Sequence, residues 1–255
     1  MVCASCYTSA PQRTSSALRG VRFEVQGSRK LPEQSSVNNR LLASMISTDF
    51  EFLGGHMALL DLPRNRDLSF PQEPIEHCWF IEQGLVSLVA ISSEGHETEA
   101  GIVGHEGMVD LAAILGAQSS PLRCVVQIAG CGYRLPASIL RERLDASSEL
   151  RAQLNKYAYE SYIDVAFTAL ANASFTVEER LARWLLMCAD RLATNCISLT
   201  HECLAIMLNV RRAGVTVALR SLQKAGFVDI CRGRISISDR LGLEHLAQDT
   251  YRKIV

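Results

Sequence analysis

The sequence predicts an α+β chain built from a roll of short β-strands, one long helix and a winged helix-turn-helix. Three observations carry this. Residues 199–237 (LTHECLAIMLNVRRAGVTVALRSLQKAGFVDICRGRISI) read as two short helices, a tight turn and a β-ribbon. Between Met57 and Leu135, prolines and glycines (Pro63, Pro71, Pro74, Gly84, Gly95, Gly101 and on to Gly132) punctuate the chain into short runs, the spacing of an all-β domain. From Ser147 to Ala173, apolar and small residues recur at alternating steps of four and three, the mark of a long packed helix.

Composition bounds the answer. The chain has 255 residues, 48% apolar and 21% charged, enough for two ordinary domains with cores. Net charge is −1, but its distribution is uneven. Residues 41–148 hold 6 basic and 14 acidic side chains, whereas residues 198–240 hold 7 basic and 3 acidic. An acidic middle with a basic C-terminal module suits a chain that meets a polyanion with one part only. Nine scattered cysteines lack the spacing of a secreted disulfide framework, so a cytoplasmic location is expected. No apolar run approaches the roughly 20 residues needed to span a bilayer.

Taken in order, residues 1–37 are rich in Arg, Ser and small residues and read as a flexible tail, its Arg/Ser content also fitting a transit peptide. Its one chemical feature is Cys3-Ala-Ser-Cys6, a spacing open to a redox or metal role or to two incidental cysteines. A short helix is expected from about Asn38 to Ile46, opening a roll domain over residues 38–146. Within it, Cys78–Ile81, Leu85–Ile91 and Cys124–Ile128 are the clearest strands, with hairpin turns expected at Glu82-Gln83-Gly84 and Ser92–Gly95. His77, His96 and His105, with Glu97, Glu99 and Glu106 near, raise the alternative of a metal enzyme on a β-roll. No His-x-His pair, Ser/His/acid grouping or Gly-rich phosphate loop accompanies them, so neither a catalytic residue nor a metal or cofactor is assigned.

The long helix, residues 147–173, carries Leu150, Leu154, Ala158, Ser161, Val165 and Thr168 as its repeating face. Two accounts fit that face, pairing with a second copy or packing on the roll. Residues 174–255 form the last part. Thr176 and Glu179 make a capping box that starts a helix with a stripe of Leu181, Trp184, Leu185, Cys188 and Leu192. Thr200 caps the next helix, Asn209 allows a left-handed turn, and Val215, Ala218, Leu219 and Leu222 form the buried face of the helix after it. Arg211, Arg212, Thr216 and Arg220 are left on its front end and outer side. Phe227–Ile230 and Arg234–Ile237 read as a ribbon around Cys231-Arg232-Gly233.

This C-terminal stretch resembles the DNA-binding domain of the catabolite activator and fumarate-nitrate regulator (Crp/Fnr) superfamily. HCWFIEQGLVSLVAISSEGHETEAGIVGHEGMVDL is similar to that family's cyclic-nucleotide-binding β-roll. The resemblance implies a homodimer paired through the long helix, double-stranded DNA with an inverted-repeat operator, and RNA polymerase as a further partner. It implies DNA contacts from Thr200, Arg211, Arg212, Thr216, Arg220, Arg232 and Arg234, with Arg212 reading a base. In the family an Arg-Glu pair and a second Arg often read the operator; Ala213 and Val217 stand in the last two slots here. The effector pocket would fall at Glu106, Asp110 and Arg123. Asp110-Leu111 occupies the slots of the family's Gly-Glu, and Leu122-Arg123 lies near those of its Arg-Ser, so cyclic-nucleotide binding is expected to be degenerate. A regulator gated by a small molecule or by redox change, through the roll or the cysteines, is the alternative. Cys3 and Cys6 resemble part of the fumarate-nitrate branch's iron-sulfur ligand set, but the next cysteine is Cys78.

Overall fold

The computed structural model describes residues 32–231 and 233–253. The Cys3/Cys6 pair, nearly all of the tail, and Arg232 lie outside the described residues. The chain enters as a strap pinned by polar groups. Glu82 is buried and accepts from the backbone N–H groups of Asn38 (2.8 Å) and Asn39 (3.0 Å). The Asn39 side chain caps α1 (Arg40–Ala43) through Leu42 N and donates to the carbonyls of Ile81 and Gly107. The single helix expected over 38–46 is instead this one turn, followed by α2 (Ser47–Gly54). Ser44 bonds back to Arg40 O and Ile46 is extended, which lets Met45 reach the core before α2 buries Phe50 and Leu53.

Six antiparallel strands form the roll: β1 (Ala58–Leu62), β2 (Asp67–Ser69), β3 (His77–Ile91), β4 (Glu97–Val103), β5 (Met108–Val109) and β6 (Leu122–Pro136). Their order is β1-β6-β3-β4, with β2 on β6 and β5 on β3. The expected turn at Ser92–Gly95 is present, closed by Ser92 N donating to His96 O at 2.9 Å. The expected turn at Glu82-Gln83-Gly84 is not. β3 runs straight through it, absorbing the irregularity as register slips against β6. Gly84 has φ +92°, and a Cβ there would sit 2.5 Å from Ile128 O, so this glycine marks a close strand approach within the ladder.

Pro136 opens α3 (Ala137–Ala146), and Ser147 caps α4 (Ser148–Ser174). The capping box expected at Thr176 and Glu179 starts α5 (Val177–Leu192). β7 (Cys196–Ser198), α6 (His201–Met207), α7 (Arg212–Lys224), β8 (Val228–Cys231), β9 (Arg234–Ile237) and α8 (Arg240–Ala247) complete the chain. β7, too short to show in the sequence pattern, turns the ribbon into a three-stranded sheet ordered β7-β9-β8.

Packing divides the faces of two helices. On α4, Leu150 and Leu154 are buried with Phe80, Leu135 and Leu140, so the first half of the anticipated repeating face packs inside its own chain. The exposed series is Ala152, Asn155, Tyr159, Tyr162, Ala166, Ala169 and Ala173, again at alternating three and four. On α5 the stripe widens to near-complete burial from Leu181 to Ala189, because the helix packs on the helix-turn-helix and on Leu85 and Ile102 of the roll. Among the described residues, no helix is long and apolar enough to cross a membrane.

Candidate nucleic-acid interface

The helix-turn-helix forms for local reasons. Thr200 accepts from Cys203 N to start α6, and Asn209 turns the chain with φ +48°. Val210 N then closes the turn on Ala205 O at 3.0 Å. α7 buries Val215, Ala218, Leu219 and Leu222, which rotates Arg212, Ala213, Val217 and Arg220 outward. Arg211, the N-cap residue, is exposed beside Arg212. The Thr216 hydroxyl donates to Arg212 O (3.1 Å) and lies 3.0 Å from His201 Nδ1.

Glu202 on α6 reaches Arg212 at 3.7 Å, with both side chains about 70% exposed (72% and 68%). Together with Leu199, Thr200, His201, Ile230, Gly233 and Ile235, they line a cleft of about 390 Å³ between the two helices and the wing. Arg234 stands exposed on β9 opposite Cys231. Five of the predicted contact residues, Thr200, Arg211, Arg212, Arg220 and Arg234, are exposed on this one domain, with Thr216 half-buried among them.

The three residues expected to form an effector pocket make no hydrogen bond or ion pair with one another. Glu106 is buried, accepting from Gly104 N and pairing with Arg191 of α5 at 3.0 Å. Arg123 is engaged by Asp67 (2.7 Å) and Glu97 (3.2 Å) on neighbouring strands. Asp110 is buried in a left-handed conformation with φ +69°. Neither its carboxylate oxygens nor the buried Ser69 hydroxyl makes a hydrogen bond, and burial pushes its carboxyl up to about 6. The histidines are likewise scattered. His96 is an exposed turn residue beside Glu94, and His105 Nδ1 lies 2.6 Å from Arg191 O. No group of three metal-ligating side chains occurs among the described residues.

Sequence reasoning missed the polar junction between roll and helix-turn-helix. Arg191 on α5 bonds Ile102 O (3.0 Å), Glu106 and, at 2.8 Å, Asp164 of α4. Glu99 on β4 is enclosed, accepting from Ser87 Oγ (2.5 Å) and Trp184 Nε1 (2.7 Å). Burial raises its carboxyl to about 7 against the pull of these two bonds and of Arg191 and Arg183. Trp184, part of the expected apolar stripe, is buried and has a polar handle as well.

Comparison with known proteins agrees with this geometry. A model of the Crp-like helix-turn-helix domain matches residues 179–246. No curated protein matches the chain. FixK2 from Bradyrhizobium japonicum superposes with a TM-score of 0.66 at 17% identity, covering 75% of this chain and 98% of that one. The c-di-GMP responsive global regulator CLP of Xanthomonas campestris gives 0.61 at 15% identity, covering 76% and 100%. A transcriptional regulator of the CRP/FNR family from Thermus thermophilus gives 0.54 at 20% identity, covering 74% and 97%. Residues 179–246 are therefore a Crp-like helix-turn-helix domain, and the chain as a whole has the fold of the Crp/Fnr transcription regulators.

Proposed function

We propose that this protein is a sequence-specific transcription regulator that binds an inverted-repeat operator as a homodimer. The observation that carries the reading is the start of α7, where Arg211 and Arg212 are exposed while the opposite face is buried. A second helix entering the major groove presents its N-terminal residues to base edges, and Arg212 is the residue assigned to guanine. Arg211 and Arg220 extend that surface, while Thr200, Thr216, Arg232 and Arg234 are assigned to phosphates. The working division is a roll over 38–146, a dimerisation helix over 147–173 and a DNA-binding domain over 174–255.

The exposed α4 series from Ala152 to Ala173 supplies the seam for the second copy, with Tyr159 and Tyr162 63% and 68% exposed. The pocket reading is degenerate. Asp110 places a carboxyl where an anionic phosphate would need a donor, and Arg123 is already engaged by two carboxylates. Cytoplasmic DNA and RNA polymerase are the expected partners, and no catalytic role is assigned. A gated version of the same function has one observation in its favour, the polar junction through Arg191 and Glu99, which ties the roll to α5.

Selection of bound duplexes from a random pool by the purified protein tests the proposal. The expected result is enrichment of two inverted half-sites with centres about 34 Å apart, one helical turn. No enrichment, or enrichment of a lone half-site, refutes it.

A further inference from the structure

We infer that the DNA-contacting surface extends beyond the helix-turn-helix onto the roll, through Arg64 in the turn between β1 and β2, which takes a backbone phosphate beside α6. The inference rests on the regulator reading and adds a contact from the other domain.

Arg64 belongs to Pro63-Arg64-Asn65-Arg66, a basic turn in a domain that is otherwise strongly acidic. The turn is rigidly held. Asn65 is left-handed at φ +65°, Asn65 N donates to Val126 O (2.8 Å), and Val126 N donates to Arg66 O (2.9 Å). The two arginines then diverge. Arg66 folds back on the roll, bonding Asp61 O at 3.0 Å with its guanidinium over the Trp79 ring. Arg64 is exposed and reaches the other way, to Cys203 Sγ on α6.

Cys203 Sγ in turn accepts from the hydroxyl of Thr200 at 3.2 Å. The Arg64 guanidinium therefore lies one side chain from an exposed threonine already assigned to the phosphate backbone. Its place there is fixed by the domain junction, because α6 is seated on the roll through Met207 against Ser87 and on α5 through Arg180 holding Leu208 O. The neighbouring carboxylate, Glu202, is turned to Arg212. A planar guanidinium that is charged at every relevant pH and keeps free N–H groups at the edge of the surface assigned to DNA suits a phosphodiester oxygen.

The test compares wild type, Arg64→Ala and Arg64→Lys on the duplex that wild type selects and on a scrambled one, by fluorescence anisotropy across a salt series. One lost phosphate contact per protomer, two per dimer, lowers the log–log salt slope by about 1.8 and weakens binding roughly thirty-fold near 0.15 M salt. That loss is expected for Arg64→Ala on both duplexes, with Arg64→Lys close to wild type and all three proteins melting at the same temperature. An unchanged slope in Arg64→Ala overturns the inference. So does an Arg64→Lys protein that loses as much as Arg64→Ala, because the sulfur contact and not the charge would then matter. Failure of wild type to retain any duplex refutes the regulator reading itself, a result distinct from both.

Discussion

The surroundings of Arg212 and those of Asp110 differ in opposite ways from the Crp/Fnr pattern that the sequence resembles. Arg212 stands where the first operator-reading arginine is expected, but the exposed Ala213 and Val217 leave it without the usual recognition-helix partners. Glu202, from the other helix, is the carboxylate beside it. Arg212→Ala is expected to cost about 1–3 kcal/mol on the selected operator and to flatten preference at one base pair. Equal loss on every sequence would reassign the arginine to the backbone. Asp110 makes the opposite departure, inward. Because its folded-state pKa lies near 6, above the ordinary 3.8, its contribution to stability is present below about pH 4 and lost as pH rises through 6. Asp110→Asn removes that loss. Urea unfolding at pH 4 and pH 8 should show the variant gaining on wild type by about 2–3 kcal/mol between the two. A gap that does not change with pH would mean the carboxyl is not buried as described.

At the scale of elements, local chemistry was legible and shared faces were not. The capping box at Thr176, the left-handed Asn209 and the apolar face of α7 each declare themselves within a few residues, and each is found where expected. Glu82-Gln83-Gly84 misleads because a polar run ending in glycine is the composition of a turn; here Glu82 is satisfied by the strap at Asn38 and Asn39, more than forty positions away. α4 misleads differently. It carries two interleaved repeats, and only the packing shows that Leu150, Leu154 and Tyr157 belong to the chain's own core. The other repeat is free to meet a second copy. Placing a carboxylate at its centre puts two like charges into a symmetric seam, at a cost of several kcal/mol. Tyr162→Asp should therefore sediment as a folded monomer and lose the operator's second half-site. A variant that stays dimeric would move the interface off this face.

For the whole molecule, what matters is whether roll and DNA-binding domain behave as one body, and the groups that decide it were invisible in the sequence. Trp184 and Glu99 are 85 positions apart, and Arg191 and Ile102 are 89 apart, so no periodicity or spacing could pair them. Glu99 is the titratable group at that junction. Its carboxyl, raised to about 7 from 4.5, faces Ser87, Trp184, Arg183 and Arg191. When ionised it accepts from both Ser87 and Trp184. When protonated it can keep the Trp184 bond and donate to Ser87, leaving that hydroxyl's own proton for Met207 Sδ of α6, 3.8 Å away. The sign follows from the raised value: the stabilising form is the neutral one, and its advantage, on the order of 3 kcal/mol, fades as pH rises through 7. Trp184 reports this directly. In a Trp79→Phe background, its fluorescence should titrate with a midpoint near pH 7, and Glu99→Gln, which keeps the shape and cannot ionise, should abolish the transition. A titration that survives Glu99→Gln would assign the proton elsewhere and remove Glu99 as the link between the acidic roll and the helices that carry Arg212.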